Sequence, residues 1–417
     1  MLPLSFHQQN RTMLYSRLPV GACAVVFAGK APRQSADAYY PFFANRNFVY
    51  LTGMEEPELI LRAVKESDGV RETIFLRPED AMAERWTGKR IHRDAAESVY
   101  GFSEIQYVQD FENVLFRLVR AGHLSSLWLD FDMESPCEAP NEARRLAKKA
   151  QRAYPFLPQK NLNPLFRDLR TVKAPCEIDA MRKAAVITGE GIKAMMRACR
   201  PGMKEYELKA EFDRALAVRG VLTPAFPSII CAGENNFIIH YYDYTGTVHD
   251  GDMVLNDVGA CWDNECNDVS RAWPANGKFS EKQALLYRCI YHTSEYMFSI
   301  LKPGIPLNKI DDIAREYCFE QLRGIGLIDD YKDIRRLMWH NGAHHVGYDV
   351  HDCVNGEGVT EPGNVFCVDI GVYCLDWGIG FRLEDNCLIT ENGCENLTRA
   401  IPRSIEEIEA AMASLRQ

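Results

Sequence analysis

Two aspartates set eleven residues apart, Asp257 and Asp268, are the residues of this sequence with the clearest capacity for chemistry. Both lie in VLNDVGACWDNECNDVSRAWP, where apolar, strand-like sequence stands beside each acid. A carboxylate in a buried strand is costly unless a cation neutralises it. A single aspartate is most often a solvated residue or a turn partner, but this pair is interpreted as candidate ligands of a divalent metal ion.

Further candidate ligands follow in three downstream segments. HNGAHHVGYDVHD (340–352) contains four histidines, VDIGVY (368–373) contains an aspartate, and FRLEDNCLIT (381–390) contains a glutamate. Several carboxylates with one imidazole suit Mn²⁺, Co²⁺, Zn²⁺ or Fe²⁺, and two ions about 3.5–4 Å apart can share one water and hold it as hydroxide. Together the segments predict a two-metal hydrolase site.

Arg382 and Glu384 alternate with Phe381 and Leu383, so a strand would place the two charged side chains on one face. Alone, they would be interpreted as a solvent-facing ion pair. With acids upstream, Glu384 is predicted to bridge two ions while Arg382 orients a neighbouring carboxylate. His240, in NNFIIHYYDYTG, keeps two interpretations, because its apolar and aromatic neighbours suit a core residue as well as a substrate contact.

A chain of 417 residues with 47% hydrophobic content is expected to form two domains, with a boundary near the segment LFRDLRTVKAPCEID. Residues 1–168 alternate short strand candidates with helix-like stretches, which predicts a mixed α/β domain. The strand candidates are ACAVVFAG, ETIFLRP and SLWLDFD, and a helix candidate is NEARRLAKKAQRAY. No glycine loop follows these strands, so this half is expected to support catalysis rather than bind a nucleotide.

In residues 169–417, Pro175 is predicted to begin a helix that ends at Arg200-Pro201-Gly202. The other predicted helices are KEYELKAEFDRALAVRG, residues 281–302, residues 307–325 and SIEEIEAAMASLRQ. The predicted strands are FPSIICAG, the segments around Asp257 and Asp268, VFCVDIGVYC and GFRLEDNCLIT. The chain as a whole is therefore assigned to the α/β (α+β) class.

Composition narrows the choice of partners and compartment. A net charge of −10 and a pI near 5.6, with no basic stripe, argue against nucleic acid and favour a small substrate. No secretory signal or apolar run of about 20 residues is present, so a cytoplasmic protein without a membrane partner is expected. The fourteen cysteines fall at irregular spacings without a CxxC pair and are interpreted as reduced, mostly buried thiols.

The order and spacing of these motifs resemble a known family. Asp257, Asp268, HNGAHHVGYDVHD and RLED around Glu384 resemble the pita-bread metallopeptidases, specifically the aminopeptidase P and prolidase branch. Three further segments extend the resemblance over nearly the whole chain: SADAYYPFFANRNFVYLTGMEEPE (35–58), RPGMKEYEL (200–208) and NGKFSEKQ (276–283). The resemblance implies a non-catalytic N-terminal domain over residues 1–168 and a pita-bread catalytic domain with a curved antiparallel sheet over residues 169–417.

The resemblance also implies an activity. It points to an Xaa-Pro aminopeptidase, a metal-dependent exopeptidase that uses a metal-bridging hydroxide, usually with two Mn²⁺, to release the residue ahead of proline. By position, the implied metal ligands are Asp257, Asp268, His344, Asp369 and Glu384, with Asp268 and Glu384 bridging. Implied substrate or intermediate contacts are His240, His340 and His351, and the residue at position 369 would also handle the proton of the water. Relatives are commonly homodimers or homotetramers.

One tripeptide departs from the family pattern, since Asp369-Ile370-Gly371 replaces Glu-Pro-Gly. Aspartate is shorter by one C–C bond, about 1.5 Å, whereas metal–oxygen distances tolerate about 0.2 Å. The backbone must shift, a water must intervene, or one ion must bind weakly. This departure motivates one alternative to the aminopeptidase, a metal-poor binding protein or non-peptidase relative. A second alternative, a prolidase restricted to Xaa-Pro dipeptides, shares every ligand and differs in how the far end of the cleft is closed.

Overall fold

The computed structural model describes residues 1–131, 135 and 137–415, and the chain divides into two compact units between Leu169 and Arg170. Parts of two predicted elements, Asp132 of SLWLDFD and residues 416–417 of the last helix, lie outside the described residues. No helix in the described ranges combines the length and apolar character needed to cross a membrane.

The first unit is built on one mixed sheet with helices around it. Its strands are β1 (Ala22–Phe27), β2 (Arg33–Ser35), β3 (Ala38–Tyr39), β4 (Ile60–Lys65), β5 (Val70–Leu76), β6 (Ile105–Tyr107), β7 (Ser126–Leu129) and β8 (Gln159–Asn161). Its helices are α1 (Leu4–Ser16), α2 (Arg46–Thr52), α3 (Ala81–Thr87), α4 (Arg93–Ser98), α5 (Phe111–Arg120) and α6 (Glu142–Ala153), followed by α7 (Asn163–Thr171) at the boundary. The main sheet has the order β6-β5-β4-β1-β7-β8 and contains both parallel and antiparallel pairs, which confirms the mixed α/β prediction.

The second unit carries all the candidate metal ligands. Its helices are α8 (Pro175–Ala198), α9 (Glu205–Ala217), α10 (Glu281–Ile300), α11 (Ile310–Gly324) and α12 (Ile405–Leu415). Its strands are β9 (Ile229–Ala232), β10 (Met253–Val258), β11 (Cys261–Trp262), β12 (Glu265–Cys266), β13 (Val269–Pro274), β14 (Ala343–His345), β15 (Val365–Cys374), β16 (Ile379–Ile389) and β17 (Cys394–Asn396). Helix α8 begins at Pro175 as predicted, and Glu177 accepts a hydrogen bond from the Ala174 N–H at 2.7 Å to cap it.

Antiparallel sheets form the centre of this unit. One has the order β13-β10-β9, another has the order β14-β15-β16-β17, and β11 and β12 form a small hairpin. Strands β10 and β13 pack against β16, so the two larger sheets adjoin. Every residue of β15 and β16 is buried, because helix α10 packs against these strands and the other sheet adjoins them. Two buried faces explain the nearly continuous apolar sequence of β15, whereas β16 carries charged and polar residues at its centre.

A hairpin explains the spacing of Asp257 and Asp268. Strands β11 and β12 are joined by Asp263 and Asn264, both with positive φ, which is the two-residue turn that suits a twisted hairpin. The chain then returns so that Asp257 pairs with Ser270 across β10 and β13. A Cβ on Gly259 would lie 1.7 Å from the Asn267 carbonyl oxygen, so only glycine permits this close return. Asp268 lies just before β13, in the two-residue gap that follows the hairpin.

Candidate metal centre

Adjacent strands place the five predicted ligands at one region of the second unit. Asp257 lies on β10, Asp268 precedes β13, and His344 lies on β14. Asp369 on β15 pairs directly with Glu384 on β16. Directly paired residues of an antiparallel sheet have neighbouring side chains on the same face, so this register alone brings two carboxylates together.

Three of the predicted ligands converge most closely. Ligand atoms of Asp268, His344 and Glu384, together with the Cys367 sulfur, all lie within 4.8 Å of one another. The His344 Nε2 atom is 3.1 Å from Glu384 Oε1 and 3.5 Å from Asp268 Oδ2. One imidazole nitrogen thus faces two carboxylates, as expected for the residues around a divalent cation.

Asp257 is oriented by Arg382. The Arg382 guanidinium donates from Nη2 to Asp257 Oδ2 at 2.8 Å and from Nη1 to the Tyr373 hydroxyl at 2.8 Å. Its Nε lies 3.4 Å from the Ser270 hydroxyl oxygen, and that hydroxyl donates to Glu384 Oε2 at 3.0 Å. Since Arg382 is only 2% exposed, the solvent-facing ion pair considered for Arg382 and Glu384 is wrong.

Asp369 makes its ion pair with a histidine. Its Oδ2 lies 3.0 Å from His340 Nδ1, and Asp369 is not among the four residues that converge within 4.8 Å. The His340 ring packs over Gly371, where an added Cβ would lie 2.3 Å from Nε2. The Asp-Ile-Gly tripeptide therefore keeps the glycine that the histidine requires, while its shorter acid is held by that histidine.

The remaining predicted histidines lie at the margin of the cluster. The ring of His351 meets the ring of His344 edge-on at 4.4 Å, and His351 is exposed. His240 is also exposed and stacks near Tyr242, with ring centroids 6.2 Å apart. His240 is therefore not a core residue, which removes one of its two interpretations.

The pKa values reflect negative charge gathered in a buried place. Burial, and then the charges of Asp369 and Asp257, raise the pKa of Glu384 to about 7. Burial and the charge of Glu384 likewise raise the pKa of Asp268. Burial would lower the pKa of His344, but its hydrogen bond to Glu384 and the charge of that residue raise it to about 9. The raised pKa values of Glu384 and Asp268 show that nearby side chains do not fully neutralise their negative charge.

The donor atoms fit divalent cations. Among the described residues, Asp257 Oδ1, Asp268 Oδ1 and Asp369 Oδ1 are buried and lack a hydrogen-bond partner. Buried carboxylate oxygens are rarely left unpaired, because desolvation without a partner is unfavourable. Divalent cations would satisfy these oxygens and the imidazole.

Four nearby side chains were not singled out from the sequence. They are Ser270, Cys367, Tyr373 and Asn386, and each hydrogen-bonds to a predicted site residue or lies among them. A signal was present for three of them, because Cys367 and Tyr373 share a face of β15 with Asp369, and Asn386 shares a face of β16 with Arg382 and Glu384. Ser270 had no such signal, since its role depends on cross-strand neighbours.

Comparisons with known proteins agree with this geometry. The sequence profile described as metallopeptidase family M24 matches residues 179–391, and that of the aminopeptidase P N-terminal domain matches residues 7–128. The Xaa-Pro aminopeptidase of Escherichia coli is 30% identical, over 98% of both chains.

Two solved structures extend the comparison to three dimensions. A candidate aminopeptidase P from Bacillus anthracis superposes with a TM-score of 0.96 at 33% identity over 99% of each chain. Zinc-substituted E. coli aminopeptidase P in complex with product superposes with a TM-score of 0.91 at 29% identity, over 100% of this chain and 99% of the other.

Proposed function

The chain belongs to metallopeptidase family M24, and we propose that it is an Xaa-Pro aminopeptidase that releases the N-terminal residue of peptides with proline in second position. The observation that carries this proposal is the buried convergence of Asp268, His344 and Glu384 in a chain that matches an Xaa-Pro aminopeptidase over nearly its full length. The fold and the family make the chain a metal-dependent hydrolase, and the peptide preference is the proposed step.

The proposed ligand set holds two divalent cations. We assign Asp257, Asp268, His344, Asp369 and Glu384 as its members, and Asp268 and Glu384 would bridge the two ions. Bound cations would polarise the scissile carbonyl and lower the pKa of the attacking water. Mn²⁺ is the first candidate for a set dominated by carboxylates, with Co²⁺, Zn²⁺ and Fe²⁺ as alternatives.

The protein's own side chains supply positioning and proton transfer. Arg382 and Ser270 hold Asp257 and Glu384 in place through the hydrogen bonds at 2.8 and 3.0 Å. Asp369, whose Oδ1 lacks a hydrogen-bond partner among the described residues, is placed to take a proton from the water.

Three histidines are placed to act on the substrate. We assign His340 to the oxyanion that develops on the scissile carbonyl; in the part of the chain that is described its Nε2 is buried and has no hydrogen-bond partner. His240 and His351 are exposed and can contact the peptide. These roles predict that the three histidines affect turnover more than metal content.

A hydrolysis assay separates the aminopeptidase from the prolidase alternative. With Mn²⁺ present, an Xaa-Pro dipeptide and an Xaa-Pro-Yaa-Zaa tetrapeptide are compared, and release of the first residue is measured for each. Cleavage of the tetrapeptide supports the proposal, whereas cleavage of the dipeptide alone would assign the protein as a prolidase. An Xaa-Ala-Yaa-Zaa peptide is the matched control for the proline requirement.

Elemental analysis addresses the metal-poor alternative. Protein purified with Mn²⁺ should contain up to two ions per chain, because two cations are needed to neutralise the acids. Absence of ions with each of Mn²⁺, Co²⁺, Zn²⁺ and Fe²⁺ would defeat the enzyme proposal.

Three wider features of the protein stay predictions. A non-catalytic role for residues 1–168, beside a catalytic role for residues 169–417, is tested by whether site variants alone remove activity. A homodimer or homotetramer is tested by light scattering on a sizing column, and a cytoplasmic location by cell fractionation.

A further inference from the structure

Cys367 occupies the central position of a row of three paired residues. On β15 it pairs with His344 of β14 on one side and with Asn386 of β16 on the other. It lies two residues before Asp369, so the two side chains share the face of the strand that carries the metal cluster. This strand register alone places the sulfur atom of Cys367 beside the candidate metal ligands.

The Cys367 sulfur is held among ligand-type atoms. It lies within 4.8 Å of ligand atoms of Asp268, His344 and Glu384, and the residue is fully buried. The Asn386 side-chain amide donates to the sulfur at 3.0 Å and to the Asp268 carbonyl oxygen at 2.8 Å. The amide orients the sulfur toward the ligand atoms, while burial and the charges of Glu384 and Asp268 raise the pKa of the Cys367 thiol well above its usual range, so the thiol would lose its proton only to a bound cation.

A buried cysteine is most often a small apolar residue of the core. Two observations separate Cys367 from that role. Its polar neighbours include ligand atoms of two acids and an imidazole as well as the Asn386 amide. Asp268, which is only 3% exposed, also keeps Oδ1 without a hydrogen-bond partner among the described residues, which suits an oxygen that binds a cation.

We propose that Cys367 is itself a ligand of one of the two ions, and that with Asp268, His344 and Glu384 it forms a four-donor site. At this site the sulfur changes the preference from Mn²⁺, the first candidate for carboxylates alone, to Zn²⁺ or Co²⁺. This inference deepens the proposed function and rests on it. The donors are one nitrogen, one sulfur and two carboxylate oxygens, a set that suits a tetrahedral Zn²⁺ ion. The thiol releases its proton when it binds the ion.

The distances are compatible with this assignment. Bonds of about 2.0–2.3 Å to a tetrahedral ion place the donors about 3.4–3.8 Å from one another. Donors that already lie within 4.8 Å need to contract by about 1 Å, which side-chain rotations can supply. Asp369 does not enter this group because His340 holds its Oδ2 at 3.0 Å. Cys367 thus offers a donor atom on the face of β15 that it shares with Asp369, whose own carboxylate is paired with His340.

The direct test is spectroscopic and uses the full chain. X-ray absorption of the Zn²⁺-loaded protein should show a sulfur neighbour at about 2.3 Å, and the Co²⁺-loaded protein should show a thiolate-to-metal charge-transfer band. Cys367→Ser should lose both signals. Cys374→Ser is the matched control, because Cys374 is equally buried on β15 but lies seven residues away, on the opposite face. It should keep both signals.

Metal competition gives a second readout. The wild-type protein should bind Zn²⁺ in preference to Mn²⁺, and Cys367→Ser should reduce that preference about tenfold or more. Zn²⁺ bound by the wild-type protein without a sulfur neighbour would overturn the proposal for Cys367 and leave the peptidase proposal standing. Failure of the wild-type protein to bind any divalent ion would overturn both. The wild-type spectrum alone decides the question if Cys367→Ser does not fold.

Discussion

Glu384 and Asp385 are consecutive residues of β16 that face opposite sides of the sheet and have opposite surroundings. Asp385 is fully buried and is bound by Arg271 at 2.7 Å, by Arg403 at 3.0 Å and by the Thr398 hydroxyl at 2.6 Å. Although burial would raise it, the pKa of Asp385 is lowered by the two arginines. Burial, and then the charges of Asp369 and Asp257, raise the pKa of Glu384 to about 7.

A second acid near the site follows the pattern of Asp385. Asp352, directly after His351, binds Lys173 at 2.6 Å and also contacts Arg170. Burial would raise the pKa of Asp352, but the two cations lower it. A buried acid that the protein neutralises with its own cations is structural, whereas acids that face one another without enough positive charge mark a site for an external cation.

Removing the imidazole of His344, on the side of the sheet that carries Glu384, is predicted to have the greatest consequence for activity. His344→Ala should lower kcat/KM for an Xaa-Pro peptide about a thousandfold or more, because a metal ion supplies several kcal/mol of transition-state stabilisation. Metal content should fall in parallel. His292→Ala, at an exposed histidine of α10, is the control and should retain activity. Full activity in His344→Ala would exclude His344 as a ligand.

Substitution of Asp385, on the opposite face of β16, should lower the stability of the protein without changing metal binding. Asp385→Ala leaves two buried arginines without their acid and should reduce the free energy of unfolding by about 3–5 kcal/mol, measured by urea denaturation. Asp385→Asn should have a smaller effect because it retains hydrogen-bond acceptors. Metal content per folded chain should stay unchanged in both variants. Loss of metal without loss of stability would contradict the structural role of Asp385.

The pKa of Glu384 makes a prediction about pH for the metal-free protein. Because its folded pKa of about 7 exceeds the ordinary value of 4.5, its contribution to stability is full below pH 4.5 and is lost as the pH rises through 7. Glu384→Gln should therefore raise the free energy of unfolding at pH 8, by on the order of 1–3 kcal/mol, and change it little at pH 4. Equal effects at both pH values would show that the charge of Glu384 is already neutralised.

The smallest expected effect concerns the length of the acid at position 369. Asp369→Glu should increase the affinity for one ion about tenfold, or about 1.4 kcal/mol, because the longer side chain can reach past His340 to the cluster. Ile370→Pro in the same chain tests whether the backbone also limits that reach. Calorimetric metal titration and peptide kinetics provide the measurements. Values identical to the wild type in both variants would remove position 369 from the ligand set.

Local sequence patterns were enough to place the five longest strands of the second unit, β9, β10, β13, β15 and β16, but not β4 of the first unit or β14, which carries His344. Period-two alternation put Arg382 and Glu384 on one face of β16, and apolar runs marked β10 and β15. Pro175 and the Arg200-Pro201-Gly202 stop bounded α8 to within a few residues. The resemblance to aminopeptidase P and prolidase, carried by motifs spread along the chain, is confirmed by the family match.

Neighbours from distant parts of the chain could not be predicted in the same way. Cys367 reads as an apolar strand residue until its register with His344 and Asn386 is known. Asp385 looked as good a ligand as Glu384 by composition, because Arg271 and Arg403 are remote in sequence. The ion pair of His340 and Asp369 likewise joins β15 to a separate loop.

By itself, the sequence determined which residues carry acids, imidazoles and thiols, and which of them share a strand face, because side-chain alternation depends only on local backbone geometry. Tertiary structure decided which face gathers acids without cations. It does so by setting which arginines and lysines reach each carboxylate, a matter of cross-strand register and sheet packing. Charge balance around Glu384 and Asp385 is therefore a property of the fold, although both residues stand side by side in the chain.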